Sequence, residues 1–182
     1  MRLLIAEDDP DIAFTYKTGL KKKNYQITIT SNGEDCLKTY NNELYKITFD
    51  NNNSNKTCNF SLANNPPFDI VLLDYNMPQI NGLEVAKEIL SINPHQRIIF
   101  ASAYVKETLI ESVKCLNRVV ELMQKPFTLE QLINTLEDTT LYLELQKFNI
   151  DIDLVKAVCP THAQIMELLE KVRKIREVST DI

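Results

Sequence analysis

The sequence predicts an α/β fold built on a parallel sheet. Three observations predict it: short, continuously apolar runs recur along the chain, longer amphipathic segments separate them, and helix-start signals mark the junctions. Continuous rather than alternating apolar character is what a parallel strand needs when helices cover both its faces. The β-α alternation repeats five times, which excludes an all-helical or all-β architecture.

The elements follow in order. Leu3-Leu4-Ile5-Ala6 is the first apolar run. Asp9-Pro10 has the form of an N-cap followed by proline at the first helical position, opening a helix to about Lys23. Tyr25–Thr30 is the second strand, and Ser31-Asn32-Gly33-Glu34 fits a capping box that opens the second helix. Residues from about 47 to 67 are rich in asparagine, include Asn51-Asn52-Asn53 and end in Pro66-Pro67, which predicts a solvated loop inserted before the third strand. That strand is Ile70-Val71-Leu72-Leu73. A helix from Gly82 to about Ile92 places Leu83, Ala86 and Leu90 on one stripe, and Pro94 follows its end. Ile98-Ile99-Phe100-Ala101 and Val119–Met123 complete the strands, and Thr128-Leu129-Glu130-Gln131 is a second capping box.

Residues 1–146 therefore read as one domain and 147–182 as a helical extension. In the extension, Thr161-His162-Ala163-Gln164 opens a helix to about Val178, after Pro160 breaks the preceding segment. Ile165, Leu168, Val172 and Ile175 repeat at a/d spacing over roughly two heptads, which is marginal for an independent coiled coil. That stripe packs on its own domain or serves as a dimer or partner contact. His162, at the helix start, reads as surface polar.

The 182 residues carry a net charge of −5, with 44% hydrophobic and 25% charged side chains. This is globular composition, and its acidic balance points away from nucleic acid and anionic membranes. No window approaches the roughly 18 apolar residues of a membrane span, and the N-terminus leads straight into a strand, so a cytoplasmic protein is expected. Cys36, Cys58, Cys115 and Cys159 are scattered without a C-x-x-C pair and read as reduced thiols.

In an open parallel sheet, ligands bind outside the carboxyl ends of the strands. Here strand one stops at Glu7-Asp8-Asp9, strand three at Asp74, strand four at Ser102 and strand five at Lys125. Crowded carboxylates repel and need a cation or protons. Oxygen-only donors favour a hard ion, and so few carboxylates suit magnesium better than calcium. Such an ion could hold a phosphoryl oxygen, with Lys125 and Ser102 on others, leaving Asp74 as the nucleophile. Singly, each residue has a plainer reading: Asp9 as a helix cap, Glu7 or Asp8 as strand-end solvation, Lys125-Pro126 as a turn. Their order at successive strand ends carries the functional reading.

These residues resemble the receiver domain of two-component response regulators. The matching stretches are Leu3–Pro10, Val71–Pro78, Asn81–Glu84, Ala101–Tyr104 and Lys125–Thr128, within about residues 1–146. The resemblance implies the flavodoxin-like doubly wound sheet, order 2-1-3-4-5. It implies Mg2+ as cofactor, held by Asp8 directly, by Asp74, by the backbone carbonyl of Asn76 and by Glu7 through water. It implies Asp74 as phosphoacceptor, Ser102 as switch hydroxyl, Lys125 as phosphate-sensing lysine, and a cis Lys125–Pro126 bond. Tyr104 and Asn76 lie where the family tunes the acyl phosphate's lifetime. One departure stands out: Leu122 occupies the position where the family usually has Tyr or Phe, so the family's aromatic switch is in doubt.

The implied partner is a sensor histidine kinase or a phosphotransfer protein, and the expected role is that of a phosphoacceptor rather than an enzyme. About 35 residues follow the fifth helix, too few for a winged helix. From residue 128 onward ten acidic side chains outnumber six basic ones, so output through an unidentified downstream protein or a homodimer is expected, without DNA contact. Two alternatives remain. An aspartate-nucleophile phosphatase would carry D-x-D after its first strand, whereas here position 76 is Asn. A degenerate receiver would act only as a protein-interaction module.

Overall fold

The computed structural model describes residues 1–53, 66–103, 113, 116, 120–137, 167, 170 and 171. The chain divides into two compact units, Met1–Ala103 and Tyr104–Ile182. The first holds β1 (Arg2–Ala6), α1 (Pro10–Leu20), β2 (Gln26–Thr30), α2 (Gly33–Asn53), β3 (Ile70–Asp74), α3 (Gly82–Ile92) and β4 (Arg97–Ser102). The second holds β5 (Glu121–Gln124) and α4 (Leu129–Glu137). The five strands form one sheet in the order β2-β1-β3-β4-β5, as expected. The expected boundary at 146/147 lies outside the described residues, as does most of the 161–178 helix, of which residues 167, 170 and 171 are helical.

The apolar runs became the central strands because both their faces are covered. Leu3 to Ala6, Ile70 to Leu73 and Ile98 to Ala101 are all buried. Each such Leu or Ile contributes about 1.5–3 kcal/mol on leaving water. β1 pairs in parallel with β2 (Ala6 opposite Thr30) and with β3 (Ala6 opposite Leu73), and β3 pairs with β4 (Asp74 opposite Ala101). On α3 the buried stripe is Val85, Ala86, Ile89 and Leu90, with the expected Leu83 only half-buried.

Caps set the helix starts. Asp9 Oδ1 accepts from the backbone of Asp11 and Ile12 at 2.9 and 3.1 Å, with Pro10 in the first turn. Thr128 and Gln131 form the expected reciprocal box, at 2.8 and 3.1 Å. For α2 the cap is Asn32, one residue later than a box begun at Ser31: Asn32 Oδ1 accepts from Asp35 N at 2.8 Å. Asn81 and Glu84 form a further box at the start of α3.

The expected loop from about 47 to 67 is corrected at its start, because α2 continues to Asn53. Extending a formed helix fixes one residue per added bond, whereas nucleation must fix several. Thr48 Oγ1 bonds back to the Leu44 carbonyl at 3.1 Å, and Glu43 is held by Arg2 at 2.7 Å and Lys46 at 2.6 Å. Residues 54–65 of the expected loop lie outside the described residues.

Below the amino ends of the strands, α2 is pinned by a buried polar cluster. Tyr40 donates to Gln96 Oε1 at 2.9 Å, and Gln96 Nε2 donates to the Phe68 carbonyl at 3.0 Å. Burial pushes the Tyr40 hydroxyl up to about 12, against the opposing effect of its hydrogen bond with Asn93. Among the described residues no helix is long and apolar enough to cross a membrane.

Candidate functional site

The site grows from the pairing of β1 with β3. Ala6 lies opposite Leu73, so the chain leaves both strands side by side. The Glu7 amide still bonds to the Thr30 carbonyl at 3.0 Å. One carboxylate oxygen each from Glu7, Asp8 and Asp74 then lies within 4.8 Å of the others. Glu7 is buried, Asp74 half-buried and Asp8 exposed, so the cluster runs from the interior to the surface. Asp9 is absent from it because its carboxylate caps α1.

Asp74 is held by its own loop. Its Oδ1 accepts from Asn76 N at 3.2 Å. The Tyr75 amide bonds to the Ala101 carbonyl at 3.1 Å, Ile80 to Pro78 at 2.9 Å, and Gly82 to the Tyr75 carbonyl at 3.0 Å. Gln79 completes the turn at φ 69°, in the left-handed region. Gly82 is required by space: a Cβ there would stand 2.2 Å from the Asp74 carbonyl oxygen. Ser102, which ends β4 one residue beyond the partner of Asp74, is buried.

Sequence reasoning missed Tyr16. It is buried on α1, and its hydroxyl is pushed well above the usual tyrosine range, first by burial, then by the charges of Glu7 and Asp74. The hydroxyl therefore stays protonated beside the acidic group. No signal marked it, because Tyr16 and Leu20 share the ordinary core stripe of α1. A cavity of about 450 Å³ also opens here, lined by Glu7 and Asp8, by Pro10, Phe14 and Lys17 of α1, and by Asp35 of α2.

In the second unit, Leu122 of β5 is buried. Lys125 follows the end of that strand, and its bond to Pro126 is cis, as the resemblance implied. Tyr104 lies outside the described residues.

Chemically, the first unit presents three oxygen acids at adjacent strand ends, one of them on a tightly built loop, with a hydroxyl on the next strand. This donor set suits a small hard cation.

Comparison with known proteins agrees. The family model described as "Response regulator receiver domain" matches residues 53–137. Chemotaxis protein CheY of Thermotoga maritima is 35% identical over 137 residues, covering 74% of this chain and 93% of that one.

The chain belongs to the response-regulator receiver family.

A second relative, the receiver protein CpdR of Brucella abortus, is 26% identical over 136 residues and covers 75% of this receiver and 93% of its own length. Among solved structures, response regulator TrrA of Thermotoga maritima, in complex with Mg(2+)-BeF, is similar at TM-score 0.52 and 29% identity, covering 75% and 96% of the two chains.

Proposed function

We propose that Asp74 of this receiver accepts a phosphoryl group from a phosphohistidine of a sensor kinase or phosphotransfer protein. The observation that carries this is the convergence of Glu7, Asp8 and Asp74 within 4.8 Å, at the ends of adjacent strands. An Asp74 carboxylate oxygen attacks phosphorus, forming the acyl phosphate P–O bond. The P–N bond to the donor histidine breaks, and the leaving nitrogen keeps the electron pair.

Asp8, Asp74, the Asn76 carbonyl and, through water, Glu7 would hold Mg2+. When bound, the ion neutralises charge on the phosphoryl oxygens. This chain's own residues supply the rest. The Asn76 amide fixes the carboxylate by bonding to its Oδ1. The Ser102 hydroxyl serves as a donor to a phosphoryl oxygen, and Lys125 as a positive charge for another. Little covalent work remains beyond positioning and neutralisation. The protein acts as a phosphoacceptor in the cytoplasm and passes its state on by protein contact, consistent with its net charge of −5. Leu122 cannot act as a rotating aromatic, so its strand does not report by that motion.

The test is intact-mass spectrometry after incubation with acetyl phosphate, with and without Mg2+, on wild type and Asp74→Asn. A magnesium-dependent gain of one phosphoryl group, absent from the variant, is expected. A labelled Asp74→Asn protein would refute the assigned acceptor. If neither a small donor nor a phosphohistidine protein labels the wild type, the interaction-module reading replaces this one.

A further inference from the structure

We propose that α2 is a lever that carries the state of the phosphoacceptor loop away from the site. The proposal rests on Asp74 as the phosphorylated residue and adds where its phosphorylation is felt.

The loop from Tyr75 to Asn81 is one block. It is closed by the Gly82-to-Tyr75 and Ile80-to-Pro78 backbone bonds, and Met77 is buried within it. Both of its boundaries lack slack. At one, the Gly82 backbone is pressed on Asp74 so closely that a Cβ would meet the carbonyl oxygen at 2.2 Å. At the other, Gly33 in the first turn of α2 abuts the loop. A Cβ on Gly33 would stand 2.3 Å from the Ile80 carbonyl oxygen, 2.9 Å from Ile80 Cβ and 2.8 Å from Val85 Cγ2. Backbones that leave no room for a methyl group are packed directly on one another, and such packing transmits displacement instead of absorbing it, because packed interiors compress little.

The rod itself is fixed near its middle. Tyr40 bonds to Gln96 and Glu43 to Arg2, at 2.9 and 2.7 Å. Residues 33 and 53 then lie on opposite sides of a pivot near Tyr40. At about 1.5 Å per residue the arm toward the loop is about 10 Å and the far arm about 20 Å. A push on Gly33 of a few tenths of an ångström is therefore roughly doubled at the far end. New charge and a new metal contact at Asp74 and Asn76 alter the forces on the loop, which is the differential interaction such a device needs.

The test is amide NMR of the ¹⁵N-labelled full chain, with beryllofluoride and Mg2+ as the phosphoryl mimic. In wild type, the amides of Tyr45 to Thr48 are expected to shift together with those of Tyr75 to Gly82. Neither set shifts in Asp74→Asn. Tyr40→Phe loosens the pivot while leaving Asp74 untouched, so its loop shifts should persist and its far-arm shifts shrink. Gly33→Ala applies a permanent push and should move the far-arm amides without beryllofluoride, provided its spectrum shows it folded. Wild-type shifts confined to the loop and the ends of the sheet, with Tyr45 to Thr48 unmoved, would overturn the lever and leave the phosphoacceptor reading standing. Far-arm shifts of wild-type size in Tyr40→Phe would overturn the pivot. A wild-type spectrum unchanged throughout would remove the phosphoacceptor reading and the lever with it.

Discussion

Gly82→Ala adds one methyl group at the closest backbone contact of the site. Its Cβ would lie 2.2 Å from the Asp74 carbonyl oxygen and 3.1 Å from both the Asp74 carbonyl carbon and Tyr75 Cα. Non-bonded heavy atoms rest about 3.5 Å apart, so about 1 Å must be found between two backbones that side-chain rotation cannot relieve. Overpacking of this kind costs about 1–3 kcal/mol. Loss of the Gly82-to-Tyr75 hydrogen bond, 3.0 Å in this protein, adds about 1 kcal/mol. Alanine's better helix propensity returns less than about 1 kcal/mol at this first-turn position. The balance is a loss of about 2 kcal/mol, a fall of about 4–8 °C in Tm for a chain of this size. The functional cost is expected to be larger, because the displaced atoms belong to Asp74. A misplacement of about 1 Å can cost on the order of 10²-fold in rate. Thermal unfolding followed by circular dichroism measures the first quantity, and the time course of acetyl phosphate labelling by intact mass measures the second. A variant with wild-type Tm and wild-type labelling rate would show that the contact is soft and that the loop does not depend on it.

Further outcomes follow from the same geometry. Asp8→Asn removes one of three clustered carboxylate charges and should weaken Mg2+ binding at least about tenfold, or about 1.4 kcal/mol; unchanged affinity by titration calorimetry would take Asp8 out of the site. Alkaline stability should fall early. Burial raises Cys36 from 9.0 to about 12, and Tyr40 from 10.0 to about 12. Above pH 9 the unfolded chain releases the Cys36 proton while the folded chain keeps it, so stability present below pH 9 is lost as pH rises toward 12. The slope is about 1.4 kcal/mol per pH unit from Cys36, joined above pH 10 by Tyr40. Urea unfolding from pH 8 to 11 measures it, and a slope between pH 9 and 10 unaltered by Cys36→Ala would refute the attribution. Gln79→Gly relieves a left-handed residue at φ 69°, worth about 1–2 kcal/mol, against about 0.5–1 kcal/mol of added chain entropy. A small net stabilisation in urea is expected, and a clear loss would mean that the Gln79 side chain holds the loop.

What could be read from the sequence is what the chain encodes locally. Leu3 to Ala6 and Ile70 to Leu73 are apolar throughout, and only strands covered on both faces use such runs, so the sheet was legible. Once strands are parallel, their carboxyl ends lie on one edge, so the convergence of the Glu7, Asp8 and Asp74 carboxylates was legible from topology alone. Asp9 was legible as a cap because Pro10 follows it. The errors fall where a local signal competes with a neighbour's structure. Ser31 and Asn32 both cap well, and the choice depends on which oxygen reaches the Asp35 amide. The asparagines at 51 to 53 read as loop, yet they prolong a helix already formed and anchored by Glu43. Tyr16, Gly33 and Gly82 carry no pattern that distinguishes a core tyrosine from one facing two carboxylates, or a helix-start glycine from a backbone contact. Tyr16 with Asp74 and Gly33 with Ile80 are relations between residues far apart in sequence, and Gly82 meets Asp74 across the turn between β3 and α3. The two glycines also show why composition understates them: their contribution lies in a missing atom, at the contacts where Asp74 meets α3 and its loop meets α2. Substitution at either should therefore disturb the site before it disturbs the fold.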